Sequence, residues 1–239
     1  MHRFPKSRDN MSIGTFLKKK IISSFDNWST TYSDDVAPKL QKRGYSYDQL
    51  AMRIIDYLNP PRGAHLAEVG VGTGILGDAV RQCRPDVTII GFDISDRMLR
   101  HARHSAAYAD LFQCDAEAIP VLSGSFGYTY SSFMLHSAPN VYDCLLELKR
   151  INKEDSKIAI VDLFRSKARV PVLSFIRDNL HSFYHEFGAP SNYKTVNELI
   201  TAIDRTGLTV AASDSLAISS NANWKMAPKM MHHFLGLNT

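Results

Sequence analysis

Short apolar runs of strand length alternate with helical stripes along most of this chain. Seven strands are predicted near residues 65–69, 87–92, 110–113, 126–132, 157–163, 208–214 and 223–228. Apolar positions at helical spacing predict helices between them at 75–83, 96–106, 140–150 and 195–205. Thr195-Val-Asn-Glu198 is a capping box that begins the last of these helices, and Gly207 ends it. Alternating strands and helices favour a mainly parallel sheet with helices on both faces, which is an α/β fold.

Two segments fall outside this alternation. After a polar tail to about residue 11, apolar positions at helical spacing from Ile13 to Trp28 predict one helix. A second helix is expected from Tyr47 to Leu58, because Asn59-Pro60-Pro61 is a strong stop signal. We therefore expect a tail and helical arm at 1–62, a main domain at 63–239, and an aromatic-rich cap inserted at 165–192.

Composition describes an ordinary globular protein and excludes several classes. The chain of 239 residues is 44% hydrophobic and 22% charged, with a net charge of +4 and no concentrated basic face, so nucleic acid is not expected as a partner. No apolar run approaches membrane-spanning length, and the N-terminus lacks the apolar core of a signal peptide, so a cytoplasmic location without membrane insertion is expected. Three cysteines without C-x-x-C spacing indicate neither a zinc site nor a disulfide framework.

The histidines do not suggest a metal site either. His181 and His185 are spaced to share one helix face, but no third ligand lies near them in the sequence. His101, His104, His232 and His233 are expected at the surface.

The candidate chemistry begins at the first predicted strand. The segment Glu68-Val-Gly-Val-Gly-Thr-Gly74 follows the apolar start of that strand, and the second strand ends at Asp93. Glycines allow backbone amides close to a ligand, and a carboxylate about 20 residues later can accept hydrogen bonds from ribose hydroxyls. Because Gly72 to Gly77 also fits G-x-G-x-x-G, the glycines alone leave both NAD(P) and S-adenosylmethionine open.

Three further features favour S-adenosylmethionine. Glu68 precedes the glycines, where a carboxylate repels a pyrophosphate and suits an ammonium group. Asp115 begins an acidic turn after the third strand and can accept from an adenine amino group, while Ala116 N–H donates to the ring. The fourth strand leads into a polar and aromatic loop ending at His136, at the edge where open α/β sheets bind ligands.

Together these residues resemble class I S-adenosylmethionine-dependent methyltransferases, in particular the small-molecule branch that contains ubiquinone and menaquinone C-methyltransferases. The resemblance covers residues 25–163. It implies a Rossmann-like, seven-stranded sheet whose last strand runs antiparallel between the fifth and sixth. It also implies S-adenosylmethionine as cofactor, bound by Tyr32, Glu68, Gly70, Gly72, Thr73, Gly74, Asp93, Ile94, Met98, Asp115, Ala116, Glu117 and Ser132.

The expected reaction is in-line transfer of the sulfonium methyl group to an O, N or C atom of a small acceptor, such as an aromatic or specialised metabolite. His136 is the candidate base, since an imidazole suits proton transfer near neutral pH. Phe133, Phe175, Phe183 and Tyr184 are candidate substrate contacts. The alternatives are a methyltransferase fold recruited to non-methylating, cyclase-like catalysis or to cofactor binding alone, and the expected oligomeric state is a monomer or homodimer.

Two departures from the family pattern accompany this resemblance. Gly127 stands where relatives usually carry an aspartate, and Ile151-Asn-Lys-Glu-Asp-Ser156 replaces their leucine-lysine-proline-glycine-glycine turn. The second departure lies away from the chemistry, so it indicates divergence and not loss of activity.

Overall fold

One seven-stranded sheet organises the part of the chain that the structure describes. The structure is a computed structural model that describes residues 13–42, 44–165, 195–216 and 230–239. The strands are β1 His65–Val69, β2 Thr88–Asp93, β3 Tyr108–Gln113, β4 Phe126–Ser132, β5 Asn152–Arg165, β6 Thr209–Leu216 and β7 Met230–Asn238. Their order in the sheet is β3-β2-β1-β4-β5-β7-β6.

The first five strands are parallel, and β7 runs antiparallel to both β5 and β6, as the family resemblance implied. The sequence placed this last strand at 223–228, but β7 begins only at Met230, and the predicted segment lies outside the described residues. The predicted Rossmann-like, mostly parallel topology is confirmed.

Helices connect the strands and cover both faces of the sheet. They are α1 Ile13–Trp28, α2 Tyr32–Lys42, α3 Tyr47–Leu58, α4 Ile75–Cys83, α5 Asp96–Ala102, α6 Val141–Ile151 and α7 Val196–Thr206, with a 3₁₀ turn at Leu135–Ser137. Side-chain caps begin four of these helices: Ser46 for α3, Ser95 for α5, Asn140 for α6 and Thr195 for α7. The capping boxes at Ser46 and Thr195 each satisfy donors at both ends of the first turn.

Two apolar layers bury the sheet. On one face, Val69 and Ile160 pack with Leu145 of α6 and Ile203 of α7. On the other face, Leu66 and Val161 pack with residues of α3 and α4, including Ile54 and Val80. Alternate residues of one strand therefore serve opposite layers, which fixes the register of the central strands and the position of their carboxyl ends.

The N-terminal arm contains three helices, one more than the sequence predicted. Helix α2 was missed because Ser33-Asp-Asp-Val-Ala-Pro38 has few apolar positions and contains a proline, which usually marks a helix boundary. Trp28 fixes the corner between α1 and α2. Its ring stacks edge-on against Tyr32 at 4.6 Å between ring centroids, and its indole N–H donates to Asp35 at 2.7 Å.

The structure corrects the predicted exposure of His233 and does not test the predicted cap at 165–192. His233, expected at the surface, is only 8% exposed, because β7 lies inside the sheet, and its Nε2 lies 2.8 Å from the Ser213 hydroxyl. The expected cap at 165–192 lies almost entirely outside the described residues. Among the helices that the structure describes, none combines the length and hydropathy needed to cross a membrane.

Candidate active site

A cleft opens at the carboxyl ends of β1, β2 and β4, where the arm helices meet the sheet. It encloses about 950 Å³, including space open to solvent. Its floor consists of the glycine turn after β1, the end of β2 and the acidic turn after β3, and its roof includes Lys18, Ile21 and Phe25 of α1. Open α/β sheets bind ligands in this location.

The glycine turn brings bare backbone to the cleft floor. Gly70 has a φ of +86°, and a Cβ there would lie 2.6 Å from the Met134 side chain. Gly72 has a φ of +57° and directs its N–H at Asp93. A side chain at either position would strain the turn, and at Gly70 it would also strike Met134.

Asp93 accepts hydrogen bonds from the glycine turn and from the segment after β2. One carboxylate oxygen accepts the Gly72 N–H at 2.8 Å, and the other accepts the Ser95 N–H at 2.8 Å. Burial raises the pKa of Asp93, while these backbone donors lower it. The carboxylate is thereby held in one orientation at the carboxyl end of β2, which is where an acceptor for ribose hydroxyls belongs.

The acidic turn is held from above by the N-terminal arm. Lys18 Nζ lies 2.7 Å from Asp115 and also contacts Glu117, and Asp115 in turn accepts the Glu117 N–H at 3.0 Å. Burial alone would lower the pKa of Lys18, but hydrogen bonds and charge attraction to the two carboxylates outweigh it and raise the pKa. Helix α1 is therefore attached to the turn predicted to recognise adenine.

Two hydroxyl contacts extend this attachment along the floor. The Ser33 hydroxyl of α2 lies 3.0 Å from the Thr73 hydroxyl, and Ser95 donates to Asp26 of α1 at 2.6 Å. The arm thus contacts the glycine turn, the end of β2 and the acidic turn at once.

Glu68 lies beneath the glycine turn and does not line the cleft. It is 1% exposed, and one of its oxygens accepts from the Tyr108 and Tyr130 hydroxyls at 2.8 Å each. Its other oxygen, Oε1, has no hydrogen-bond partner among the described residues. Burial raises the pKa of Glu68 to about 8, with the nearby charge of Asp93 adding to the rise and the two tyrosines opposing it.

The segment that follows β4 carries the candidate base. Ser132, Phe133 and Met134 line the cleft, and Phe133 has a φ of +51°, a strained value for an aromatic residue. His136 follows in the 3₁₀ turn. Its ring Nδ1 lies 2.6 Å from Asp162 of β5, and its backbone N–H donates to the same carboxylate at 3.2 Å.

The structure gathers most of the predicted cofactor residues at this cleft. The predicted residues that line it are Tyr32, Gly70, Gly72, Thr73, Asp93, Ile94, Met98, Asp115, Ala116, Glu117, Ser132 and Phe133. Glu68, Gly74 and His136 do not line it: Gly74 caps α4 at a point where a Cβ would lie 3.2 Å from Ala102, and the His136 ring pairs with Asp162 of β5. Phe175, Phe183 and Tyr184 lie outside the described residues.

Sequence reasoning missed several lining residues. Lys18 is the first of three consecutive lysines and was not predicted to line a site, and Tyr47 was predicted only as the start of a helix. The signal for Lys18 was its position on the same helix as the apolar stripe of Ile21 and Phe25, but only the docked helix shows which lysine reaches the acidic turn.

Charge in the cleft distinguishes between the two cofactor classes. Among the described lining residues, Asp93, Asp115 and Glu117 are acidic and Lys18 alone is basic. A pyrophosphate would meet net negative charge, whereas a ligand with sulfonium and ammonium groups would be attracted. The described residues also contain no group of three metal-binding side chains.

Comparison with known proteins agrees with this geometry. Residues 67–160 match the family described as methyltransferase domain. Over these residues the chain is similar to a methyltransferase domain. The matched region runs from the first strand through the glycine turn, Asp93 and the acidic turn into β5.

The relatives differ in what they methylate. The chain is 25% identical over 144 residues to malonyl-[acyl-carrier protein] O-methyltransferase of Erwinia pyrifoliae, covering 60% of this chain and 51% of that protein. It is 27% identical over 131 residues to the ubiquinone/menaquinone biosynthesis C-methyltransferase of Paracoccus denitrificans, covering 52% of each. The chain therefore spans about half the length of the curated relatives it matches.

Solved structures show the same fold. A geranyl diphosphate methyltransferase, solved in complex with S-adenosylmethionine, superposes with a TM-score of 0.62 at 14% identity, over 80% of this chain and 84% of that one. At this identity the likeness concerns the fold alone.

Proposed function

We propose that the protein transfers the methyl group of S-adenosylmethionine to an O, N or C atom of a small acceptor, such as an aromatic or specialised metabolite. The observation that carries the proposal is the acidic cleft in which the glycine turn, Asp93 and the Asp115 turn converge. It combines backbone donors, a fixed carboxylate and a negative potential, which together suit a cationic nucleoside.

The chemistry of the described lining residues suits this cofactor. Asp93 would hold the ribose, Asp115 and Ala116 the adenine, and the turn from Gly70 to Thr73 the amino-acid portion. When bound, the cofactor supplies a sulfonium methyl group that is already activated for transfer. The protein then needs to align the acceptor and exclude water, and such positioning can lower a barrier by roughly 7–11 kcal/mol.

The N-terminal arm and the segment 165–192 supply the enclosure in this proposal. Ile21 and Phe25 of α1 and Tyr32 of α2 present apolar and aromatic surface to the cleft. We divide the chain accordingly into an arm and lid at 1–62 and a catalytic domain at 63–239 that carries a cap. His136 is the proposed proton acceptor, at the edge of the cleft between the lining residues Met134 and Ser137.

Calorimetry with S-adenosylhomocysteine and NADH tests the cofactor. We expect S-adenosylhomocysteine to bind and NADH to give no comparable heat. Asp93→Ala should weaken S-adenosylhomocysteine binding by about 10-fold to 100-fold, since hydrogen bonds to a charged group contribute about 1.5–3 kcal/mol.

Asp110→Ala is the matched control, because Asp110 is an exposed aspartate on the neighbouring strand β3. Asp93→Asn, which retains the shape of the side chain, provides a second variant in case the alanine protein does not fold. Tight NADH binding without a response to S-adenosylhomocysteine would contradict the proposal. The alternative of a non-methylating enzyme predicts S-adenosylhomocysteine binding with no methyl transfer to any acceptor.

A further inference from the structure

The carboxylate of Asp115, which lines the cleft, is engaged at both of its oxygens. Oδ1 accepts the Glu117 N–H at 3.0 Å, a hydrogen bond within the acidic turn itself. Oδ2 lies 2.7 Å from Lys18 Nζ, which belongs to helix α1 in the roof of the cleft. One oxygen is therefore used by the turn, and the other is used by the N-terminal arm.

The proposed function gives Asp115 a different partner, the exocyclic amino group of adenine. A carboxylate oxygen has more than one lone pair, but an ammonium group and an amino group on the same oxygen would bring their positively polarised hydrogens close together. Oδ1 offers no easy alternative, because the acidic turn already uses it. Lys18 and adenine therefore compete for Asp115 Oδ2.

Lys18 has a second carboxylate within reach. Its Nζ also contacts Glu117 Oε2, and the Glu117 side chain is 15% exposed, against 31% for that of Asp115. The other oxygen of Glu117 accepts the Asn140 backbone N–H at 3.2 Å, which ties this carboxylate to the start of α6. Lys18 can therefore leave Asp115 and remain paired with Glu117, so that α1 stays attached to the acidic turn.

We propose that Lys18 is a specificity-determining residue, which holds Asp115 Oδ2 until the amino group of an adenine base replaces it there. Lys18 bridges both carboxylates when no base is bound, and it moves to Glu117 alone when the base enters. This inference rests on the proposed use of S-adenosylmethionine. It deepens that proposal by giving the N-terminal arm a part in recognition of the base.

The exchange reduces what the amino group contributes to affinity. The amino group gains a hydrogen bond to Asp115, but the protein loses the ion pair between Lys18 and Asp115. A partly exposed ion pair of this kind corresponds to roughly 2-fold to 5-fold in an equilibrium constant. A ligand whose base has no amino group does not displace Lys18, so its affinity should not depend on this residue.

Calorimetry with two ligands tests the exchange. One ligand is S-adenosylhomocysteine, and the other is its analogue in which purine without the exocyclic amino group replaces adenine. Lys18→Met removes the charge and keeps an unbranched side chain. We expect it to bind S-adenosylhomocysteine roughly 2-fold to 5-fold more tightly than the wild-type protein does, and to bind the analogue with unchanged affinity.

Three further variants show whether the gain arises at Asp115. Lys18→Arg should behave like the wild-type protein, since a guanidinium group can still pair with both carboxylates. Lys18→Met should give no gain when Asp115→Ala is already present. Lys19→Met, a change at the exposed neighbouring lysine, should alter the affinity for neither ligand. High salt should shrink the difference between Lys18→Met and the wild-type protein, because it screens the ion pair that Lys18→Met lacks.

Several results would overturn the inference. Unchanged or weaker binding of S-adenosylhomocysteine by Lys18→Met would mean that Lys18 does not compete with the base. An equal gain for both ligands would assign the effect to the overall charge of the cleft and not to the amino group. Lys18→Ala gives the same comparison if Lys18→Met does not fold. Failure of the wild-type protein to bind S-adenosylhomocysteine at all would instead refute the proposed function.

Discussion

Gly77, the third glycine of the G-x-G-x-x-G match, is required by side-chain packing and not by phosphate binding. A Cβ at Gly77 would overlap the Tyr108 ring and come within 2.9 Å of Glu68. Tyr108 occupies this space because its hydroxyl donates to Glu68, which lies below the turn. The pattern that left NAD(P) open in the sequence therefore arises here from packing between α4 and β3.

Glu68 should make the stability of the protein fall as pH rises. Its pKa is about 8 in the folded protein and 4.5 in an unperturbed chain. Between these values the unfolded state releases a proton that the folded state keeps, so the free energy of unfolding decreases across this window and levels off above it. A shift of this size corresponds to at most roughly 4–5 kcal/mol.

Glu68→Gln tests this prediction, because a glutamine oxygen can still accept from Tyr108 and Tyr130 but cannot ionise. Both proteins are unfolded with denaturant from pH 5.5 to 8.5. The free energy of unfolding of the variant should increase relative to that of the wild-type protein as pH rises. Parallel stability curves would mean that Glu68 is ionised in the folded protein throughout.

The sequence predicted a residue's position in the cleft where that position follows from its place at the end of a parallel strand. Asp93 and Asp115 end or follow parallel strands, whose carboxyl ends must share one edge, so their arrival at the cleft followed from the sequence. Glu68 also ends a strand, but the pleat turns its side chain below the turn toward Tyr130. Asp162 carried no signal, because its pairing with His136 joins β5 to the 3₁₀ turn after β4, a contact that the sequence does not show.

At the scale of elements, Lys18 attaches helix α1 to the acidic turn, and its removal should loosen that helix. Lys18→Ala removes two ion pairs at once, with Asp115 and Glu117. Both are partly exposed, and such pairs typically contribute about 0.2–1 kcal/mol each. We therefore expect hydrogen exchange in α1 to accelerate several-fold, and the effect to shrink at high salt.

Lys19→Ala is the matched control, since Lys19 is the next residue on the same helix and is exposed. Its exchange in α1 should resemble that of the wild-type protein. Equal acceleration in both variants would indicate a general effect of charge on the helix and not a specific attachment.

The elements that the sequence predicted well are those with a single strong periodicity. Helix α6 was placed within one residue by its apolar stripe, and α7 by its capping box and Gly207. Helix α2 was missed because tertiary contacts such as the Trp28–Asp35 hydrogen bond support a segment with weak local preference. The sequence did not predict a strand at Met230–Asn238, which is held by distant pairing with β5, and the strand predicted at 223–228 lies outside the described residues.

For the whole molecule, the sheet topology explains why one cleft gathers residues from so many elements. The strand order reverses between β1 and β4, so the connections after β1 and β2 lie to one side of the cleft and the connection after β4 to the other. Most of the predicted cofactor residues occupy the first side, and Ser132, Phe133 and the pair His136–Asp162 occupy the second.

The N-terminal arm and residues 165–192 should respond together to the cofactor as a lid. Water exclusion requires closure over the cleft, whereas product release requires opening, so lid elements belong to the less stable part of a fold. The arm already contacts the cleft floor through Lys18, Ser33 and Asp26, each by polar contacts that can break without disturbing the core. We expect hydrogen exchange to show both segments gaining protection on binding S-adenosylhomocysteine, by more than the central strands do. If both segments are as protected as β1 and β4 without the ligand, and the ligand changes nothing there, the two segments are fixed parts of the domain and substrate entry must use another route.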